Sequence, residues 1–172
     1  MPLSPDSVVQ CHADLVYRVA LNLLRDPDEA ADAAQEALVK VWQGCAGVPE
    51  AKLAAWCARV SRNACLDHLR RRKVRPQPFK DPALAPEKVS TSPLPDDDAE
   101  ADEFNRHLDV ALGQLGEPYR SIVVLREVEG LAYQEVADAL DLPLNTMKVY
   151  LHRAKRRLRD LLAASAPDLI PS

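Results

Sequence analysis

The chain has 172 residues with 47% apolar content, enough for one domain or two small ones with packed cores, which excludes wholesale disorder. Aromatics make up only 5% and Gly is scarce while Ala and Leu are abundant, a balance that predicts an all-α fold. No apolar run is long enough to span a membrane, and none follows a basic N-terminal cluster, so the cytoplasm is the expected compartment.

The first predicted helix runs from about Ser7 to Leu24, with Leu15, Val19 and Leu23 on one stripe and Val16, Ala20 and Leu24 beside it. Asp26 reads as the N-cap of a second helix, with Pro27 at its first position and Glu29 as a capping-box partner. That helix continues through Ala30, Ala33, Ala34, Ala37, Leu38, Val41 and Trp42, and Gly44 and Gly47 stop it. Residues 44–51 form a loop. A third helix begins near Lys52, carries a stripe of Leu53, Trp56, Cys57, Val60 and Ala64, and runs into a basic cluster before Pro76. Leu66 and Leu69 fall off the stripe, so this helix is expected to bury more than one face.

From Pro76 to Asp102 the character changes. Six of the 14 prolines lie here among Ser, Thr and acids, and no apolar period survives, as in a flexible linker. Order returns with Phe104, Leu108, Ala111, Leu112 and Leu115, and Gly116 ends that helix. Pro118 starts another through Ile122, Val123, Leu125 and Val128 to Gly130. A short helix, Tyr133 to Leu140, then meets the breaker Asp141-Leu142-Pro143, and a longer helix follows at once. The fold class is therefore all-α: two small helical domains joined by a linker, the second ending in a helix-turn-helix. The expected boundaries are 1–75, 76–103 and 104–165.

The net charge of −4 conceals strong polarity. Residues 59–75 hold seven cations against Asp67 alone, and residues 148–159 hold six cations and no acid. Residues 81–103 hold eight acids against Lys88. Two basic surfaces flanking an acidic middle suggest two places that face phosphates. In helical projection Met147, Leu151, Ala154, Leu158, Leu161 and Leu162 form one stripe, and Lys148, Val149, His152, Arg153, Arg156 and Arg159 point away from it. A major-groove helix needs such a packed side and such a basic side.

Cys11, Cys45, Cys57 and Cys65 match no zinc template, and Cys65 with His68 makes only two ligands, so no metal is expected. No nucleophile-base set or phosphate-binding Gly loop is present, so neither enzymatic activity nor a cofactor is expected.

Taken together, the motifs resemble the extracytoplasmic-function sigma factors, the compact group of the bacterial sigma-70 family. DPDEAADAAQEALVKVW resembles their core-polymerase-binding helix, and AWCARVSRNACLDHLRRRKV the helix that ends in Asn, Asp and an Arg cluster. LGQLGEPYRSIVVLREVEGLAYQEVADALDLPLNTMKVYLHRAKRRL resembles the domain that reads the upstream promoter element. Both halves in this order, with a linker between them, make the likeness specific.

The resemblance implies three partners: core RNA polymerase, promoter DNA and a separate anti-sigma factor. It places core binding on Asp32, Gln35 and Glu36, and the minus-ten surface on Arg59, Arg62, Asn63, Arg70, Arg71 and Arg72. Upstream, or minus-thirty-five, reading falls to Thr146, Lys148, Val149, Tyr150, His152, Arg153 and Arg156. Residues 44–52 correspond to the loop that captures a flipped minus-ten base. Asp67 and Arg71 are also spaced for an intrahelical ion pair.

Departures from the family pattern lie at Ala31, where an acid is common, and at Ala33 and Ala34, where bulky apolars stand; they imply a weaker or conditional core contact. The recognition helix opens Asn145-Thr146-Met147 rather than Gly-Thr-Val, and Val149-Tyr150 replaces Ser-Arg, which implies an atypical promoter preference. Only Ala163 to Ser172 follow the last helix, so control is expected from a separate protein rather than an attached sensor domain. Two rival readings account for less of the pattern. An autonomous helix-turn-helix regulator leaves the second basic patch unexplained. A thiol or metal sensor rests on the four cysteines with His12 or His68.

Overall fold

The computed structural model describes residues 3–74 and 99–167, and all regular structure among them is helical. The first body is three helices, α1 (Pro5–Leu24), α2 (Pro27–Gly44) and α3 (Leu53–Val74). Ser4 caps α1 by accepting from the Ser7 N–H. The side chain of Asp26 accepts from the backbone N–H groups of Asp28 and Glu29 and so caps α2. Glu29 does not complete a capping box; its carboxylate reaches across to Arg72 of α3 instead, a charged partner being the stronger one. The α1–α2 turn is a single residue pair, with Arg25 in the left-handed region at φ 59°. Two short 3₁₀ turns, Cys45–Gly47 and Glu50–Lys52, carry the chain from α2 to α3.

Small side chains set the packing of this body. Ala30, Ala33, Ala37 and Val41 of α2 are buried against Val16, Val19, Ala20 and Leu23 of α1. Helix α3 buries both its expected stripe, Leu53, Cys57 and Ala64, and a second row, Ala58, Ser61 and Cys65. The buried Ser61 hydroxyl donates to the carbonyl of Val16 at 2.7 Å, so it carries no unmet polar group into the core. At the end of α2 a side chain on Gly44 would meet the Trp56 ring at 3.0 Å, which is why the indole lies close there.

The second body is α4 (Ala99–Gln114), α5 (Tyr119–Val123), α6 (Tyr133–Leu140) and α7 (Leu144–Ser165). Most of the expected linker, 76–103, lies outside the described residues. Its last part does not behave as linker, because α4 starts at Ala99; Ala and Glu there are good helix formers. The helix expected from Pro118 to Gly130 also differs. After Val123 it widens into a π-helical turn, Val124–Val128, in which the Glu129 N–H bonds back to Val124 at 2.9 Å. Ile122 to Leu125 form an unbroken buried run, and the wider turn leaves Val128 47% exposed rather than on the core stripe. Gly130 leaves the turn at φ 72°.

The two helical bodies are in contact. Leu125, Leu131, Val136, Ala137 and Met147 share one continuous core cluster with α1 to α3. Helix α6 lies on α3, and the π-helical turn lies on α1. Ion pairs rim the junction: Arg18 with Glu129 at 2.9 Å, Arg25 with Asp109, and Arg62 with Glu117 at 3.6 Å. Arg120 adds hydrogen bonds to the carbonyls of Leu112 and Gly113 in α4 and of Leu23 in α1.

Candidate nucleic-acid and polymerase interfaces

The helix-turn-helix is built by two backbone devices. Asp141 closes α6 in the left-handed conformation at φ 54°, and the Leu142 N–H returns to Ala137 at 2.9 Å. Pro143 then opens α7, its carbonyl accepting from Met147 at 2.9 Å. Ala137 is fully buried, so the two helices cross closely. On α7 the inward stripe is Met147, Leu151, Ala154 and Leu162, with Leu158 and Leu161 half-buried.

The opposite face is cationic and open. Lys148, His152, Arg153, Arg156 and Arg159 are exposed, and Val149 is 49% exposed among them. Among the described residues no carboxylate pairs with Lys148, Arg153 or Arg156, whereas Lys155 is held by Glu127 at 3.2 Å. Thr146 is half-buried at the start of the helix. Tyr150 is less free than expected, since its ring meets that of Tyr119 edge-on at 5.5 Å and packs on the core.

The residues expected to face the minus-ten element divide into two groups. Arg70, Arg71 and Arg72 lie at the C-terminal end of α3, tied to Asp67, Glu36 and Glu29 respectively. The Asp67–Arg71 pair therefore does not form; Asp67 takes Arg70 at 3.3 Å, and Arg71 leans to Glu36 at 3.7 Å. Arg62 instead faces the second body. Its Nε donates to the Ser121 hydroxyl at 2.9 Å, and that hydroxyl donates to Glu117 at 2.5 Å. Arg59, still exposed, lines a cleft of about 580 Å³ between α3 and the α6 turn, which Lys52, Trp56, Asp138 and Asp141 also line. Asn63 is exposed. The loop residues 44–52 lead into this cleft through Val48 and Lys52.

On α2, Asp32 and Gln35 are exposed, while Glu36 turns toward α3 and meets His68 at 3.4 Å. Beside Gln35 runs a mainly apolar groove of about 590 Å³ between α1 and α2, lined by Val9, Tyr17, Ala31, Ala34, Leu38 and Trp42. Helical periodicity did not single it out. Its only sequence signal is the run of alanines where bulkier residues are expected, and Val39 and Trp42 stay half-exposed at its edge.

The buried thiols are chemically quiet. Burial, with Cys45 nearby, pushes Cys57 up to about 12, and burial likewise pushes Cys65 up to about 12 against a smaller lowering by the neighbouring Ser61 side chain. Both stay protonated at physiological pH, and ionising them opposes folding, so their contribution to stability is intact below about pH 9 and is lost as pH climbs toward 12. A thiol reagent at pH 8 is expected to modify only exposed Cys11 in the native protein, with Cys45, Cys57 and Cys65 reacting on denaturation. Intact-mass measurement decides this; rapid modification of a second cysteine contradicts the burial. Among the described residues no group of three or more His, Cys, Asp or Glu is placed to hold a metal ion. No described helix is long and apolar enough to cross a membrane.

Residues 8–75 match Sigma-70 region 2, and residues 106–158 match Sigma-70, region 4. The ECF RNA polymerase sigma factor SigE of Mycolicibacterium smegmatis is 31% identical over 172 residues, 97% of this chain but 65% of that longer protein. The RNA polymerase sigma-E factor of Streptomyces coelicolor is 35% identical over 166 residues, covering 95% of this chain and 88% of that protein. Two solved structures share the fold. CnrH in complex with the cytosolic domain of CnrY superposes with a TM-score of 0.66 at 21% identity, over 94% of this chain and 89% of that one. The sigma factor RpoE of Bartonella quintana, in complex with the anti-sigma factor NepR, superposes with a TM-score of 0.65 at 22% identity, over 90% of this chain and 93% of that one.

Proposed function

The chain belongs to the extracytoplasmic-function sigma factors of the sigma-70 family, transcription-initiation subunits rather than enzymes, and on that premise we propose how its surfaces divide the work. Core RNA polymerase docks on the Asp32–Gln35 face of α2. The cationic end of α3 faces the minus-ten element, and the outer face of α7 reads the minus-thirty-five element. The observation that carries this reading is α7 itself: a buried inner stripe under an outer face whose cations have no carboxylate partner among the described residues. Long cations left unpaired along a rigid helix suit phosphates and base edges. Transcription in vitro with core polymerase over a promoter library tests it. Promoter-specific initiation that depends on this chain supports the reading. Specific binding of the free chain to promoter DNA, without core enzyme, favours an autonomous regulator instead.

The upstream face separates two kinds of contact. Arg156 is exposed and makes no packing contribution, so Arg156→Ala leaves stability within about 0.5 kcal/mol. It is expected to weaken binding to all sequences alike and to lower the salt dependence. Val149 cannot hydrogen-bond, yet it projects from the same face, where the thymine methyl is the apolar feature of a base edge. Val149→Ser is expected to reduce preference for thymine at one upstream position by about 1 kcal/mol. An unchanged base profile, measured by holoenzyme binding across all four bases, removes Val149 from the readout.

Regulation follows from the closed arrangement. With α6 on α3, Arg62 is spent on Ser121 and Glu117, and Arg59 faces the cleft. Arg62 is therefore not free for DNA, while Arg59 stays exposed at the cleft, so full engagement of the minus-ten surface requires the bodies to separate. We further infer that a separate anti-sigma factor favours the closed state by laying an apolar helix in the α1–α2 groove beside Gln35, where it also excludes polymerase.

A further inference from the structure

Arg126 and Tyr133 have no part in the assignments above, yet they join Lys148 in a cluster on the shoulder of the helix-turn-helix. The π-helical turn brings Arg126 back over the start of α6, and its Nη1 donates to the Leu131 carbonyl at 2.8 Å. That bond fixes the guanidinium over the Tyr133 ring, 4.3 Å from its centroid. Lys148, from the second turn of α7, approaches the same ring at 5.9 Å. The ring is 42% exposed, so it is a platform rather than core.

Two cations held around one ring repel each other unless an anion joins them. Among the described residues none does. The nearby Glu135 accepts from the Ala132 N–H at 2.8 Å, and Glu127 is taken by Lys155. Cation–π attraction orients the two charges but does not neutralise them. Three elements, the π-helical turn, α6 and α7, therefore converge on a place of unmet positive charge that flanks the outer face of α7.

We propose that Arg126, Tyr133 and Lys148 form a binding site for one backbone phosphate of the upstream promoter duplex. Arg126 and Lys148 contact the phosphate, and the Tyr133 ring is a positioning residue that holds both. This rests on the reading of α7 as the upstream reader and adds a fixed point that sets how deep α7 enters the groove. A contact of this kind positions the helix without selecting a base.

The test uses holoenzyme and an upstream duplex in which single phosphates are replaced, one at a time, by neutral methylphosphonate. Wild type is expected to lose binding when one phosphate at the flank of the element is neutralised. Tyr133→Leu keeps apolar volume but removes the ring face. It is expected to bind all sequences more weakly, to lose about 0.9 from the slope of log K against log salt, and to become indifferent to that phosphate. Arg126→Gln is expected to show the same slope loss with the ring in place, and Tyr133→Phe to behave as wild type. A Tyr133→Leu holoenzyme with unchanged slope and sensitivity overturns the proposal, as does a Tyr133→Phe loss equal to that of leucine, which would assign the contact to the hydroxyl. If the wild-type holoenzyme binds no upstream duplex, the reading of α7 fails along with the site.

Discussion

Replacing Asp32, Gln35 and Glu36 together by alanine is expected to weaken the complex with core RNA polymerase about 30-fold, the equivalent of about 2 kcal/mol for loss of an interface hot spot. Most of that loss should come from Asp32 and Gln35, which are exposed and whose side chains bond to no other side chain among the described residues. Glu36 shares their side of the helix but already holds His68 and Arg71 of α3. Glu36→Ala alone is therefore expected to leave core binding nearly intact and to act instead by releasing Arg71 at the minus-ten surface. Titration of core enzyme with labelled protein measures both effects, and circular dichroism checks that the helix is retained. Wild-type affinity in the triple variant would remove this face from the polymerase contact.

Ala55→Glu should act in the opposite direction and tighten core binding. Ala55 is buried in α3 where it lines the cleft opposite Ala137, Asp138 and Asp141. A glutamate side chain there overfills the junction against Ala137 and carries its carboxylate toward Asp138 and Asp141; Lys52 and Arg59 line the same cleft and offset part of that charge, so overpacking supplies most of a cost of about 1–3 kcal/mol in the closed arrangement alone. A binding-competent open form that is a minor species lowers apparent affinity by its own fraction. Raising that fraction from roughly one in ten to dominant gives about a tenfold gain in core affinity. Small-angle scattering should show a larger radius of gyration for the variant. An unchanged radius would mean that the bodies do not separate at this junction, and weaker core binding would mean that the closed form is not inhibitory.

The closed arrangement also gives the two basic surfaces different standing. The face of α7 is open as the molecule stands, while the surface of α3 is partly occupied by Ser121 and Glu117. On the proposed assignment of surfaces, upstream recognition would be preformed and minus-ten recognition conditional. The small residues of α2 fit the same logic. Ala31 and Ala34 leave a groove where larger side chains would fill it, so one helix would offer, on the proposed reading, both a polar face for polymerase and an apolar slot for a competitor.

Periodicity and local chemistry were enough to determine the helices themselves. The apolar stripes of α1, α2 and α7, the Asp26 cap and the Asp141-Leu142-Pro143 break are set within a few residues of chain, where hydrophobic spacing and backbone preference act directly. The outward cations of α7 were legible for the same reason, since a helix fixes which side chains share a face. The junction was not legible. Arg62 looked like any other cation of α3, and only the fold sets it against Ser121, 59 positions away. The π-helical turn was missed because Ile122 to Leu125 are buried on all sides by packing that no single-helix pattern records. Glu29 and Glu36 were read from their own helix, but tertiary proximity gave them to Arg72 and Arg71. Pairing between charges depends on distance through space. The sequence states distance along the chain, and the two agree only within a turn or two of one helix.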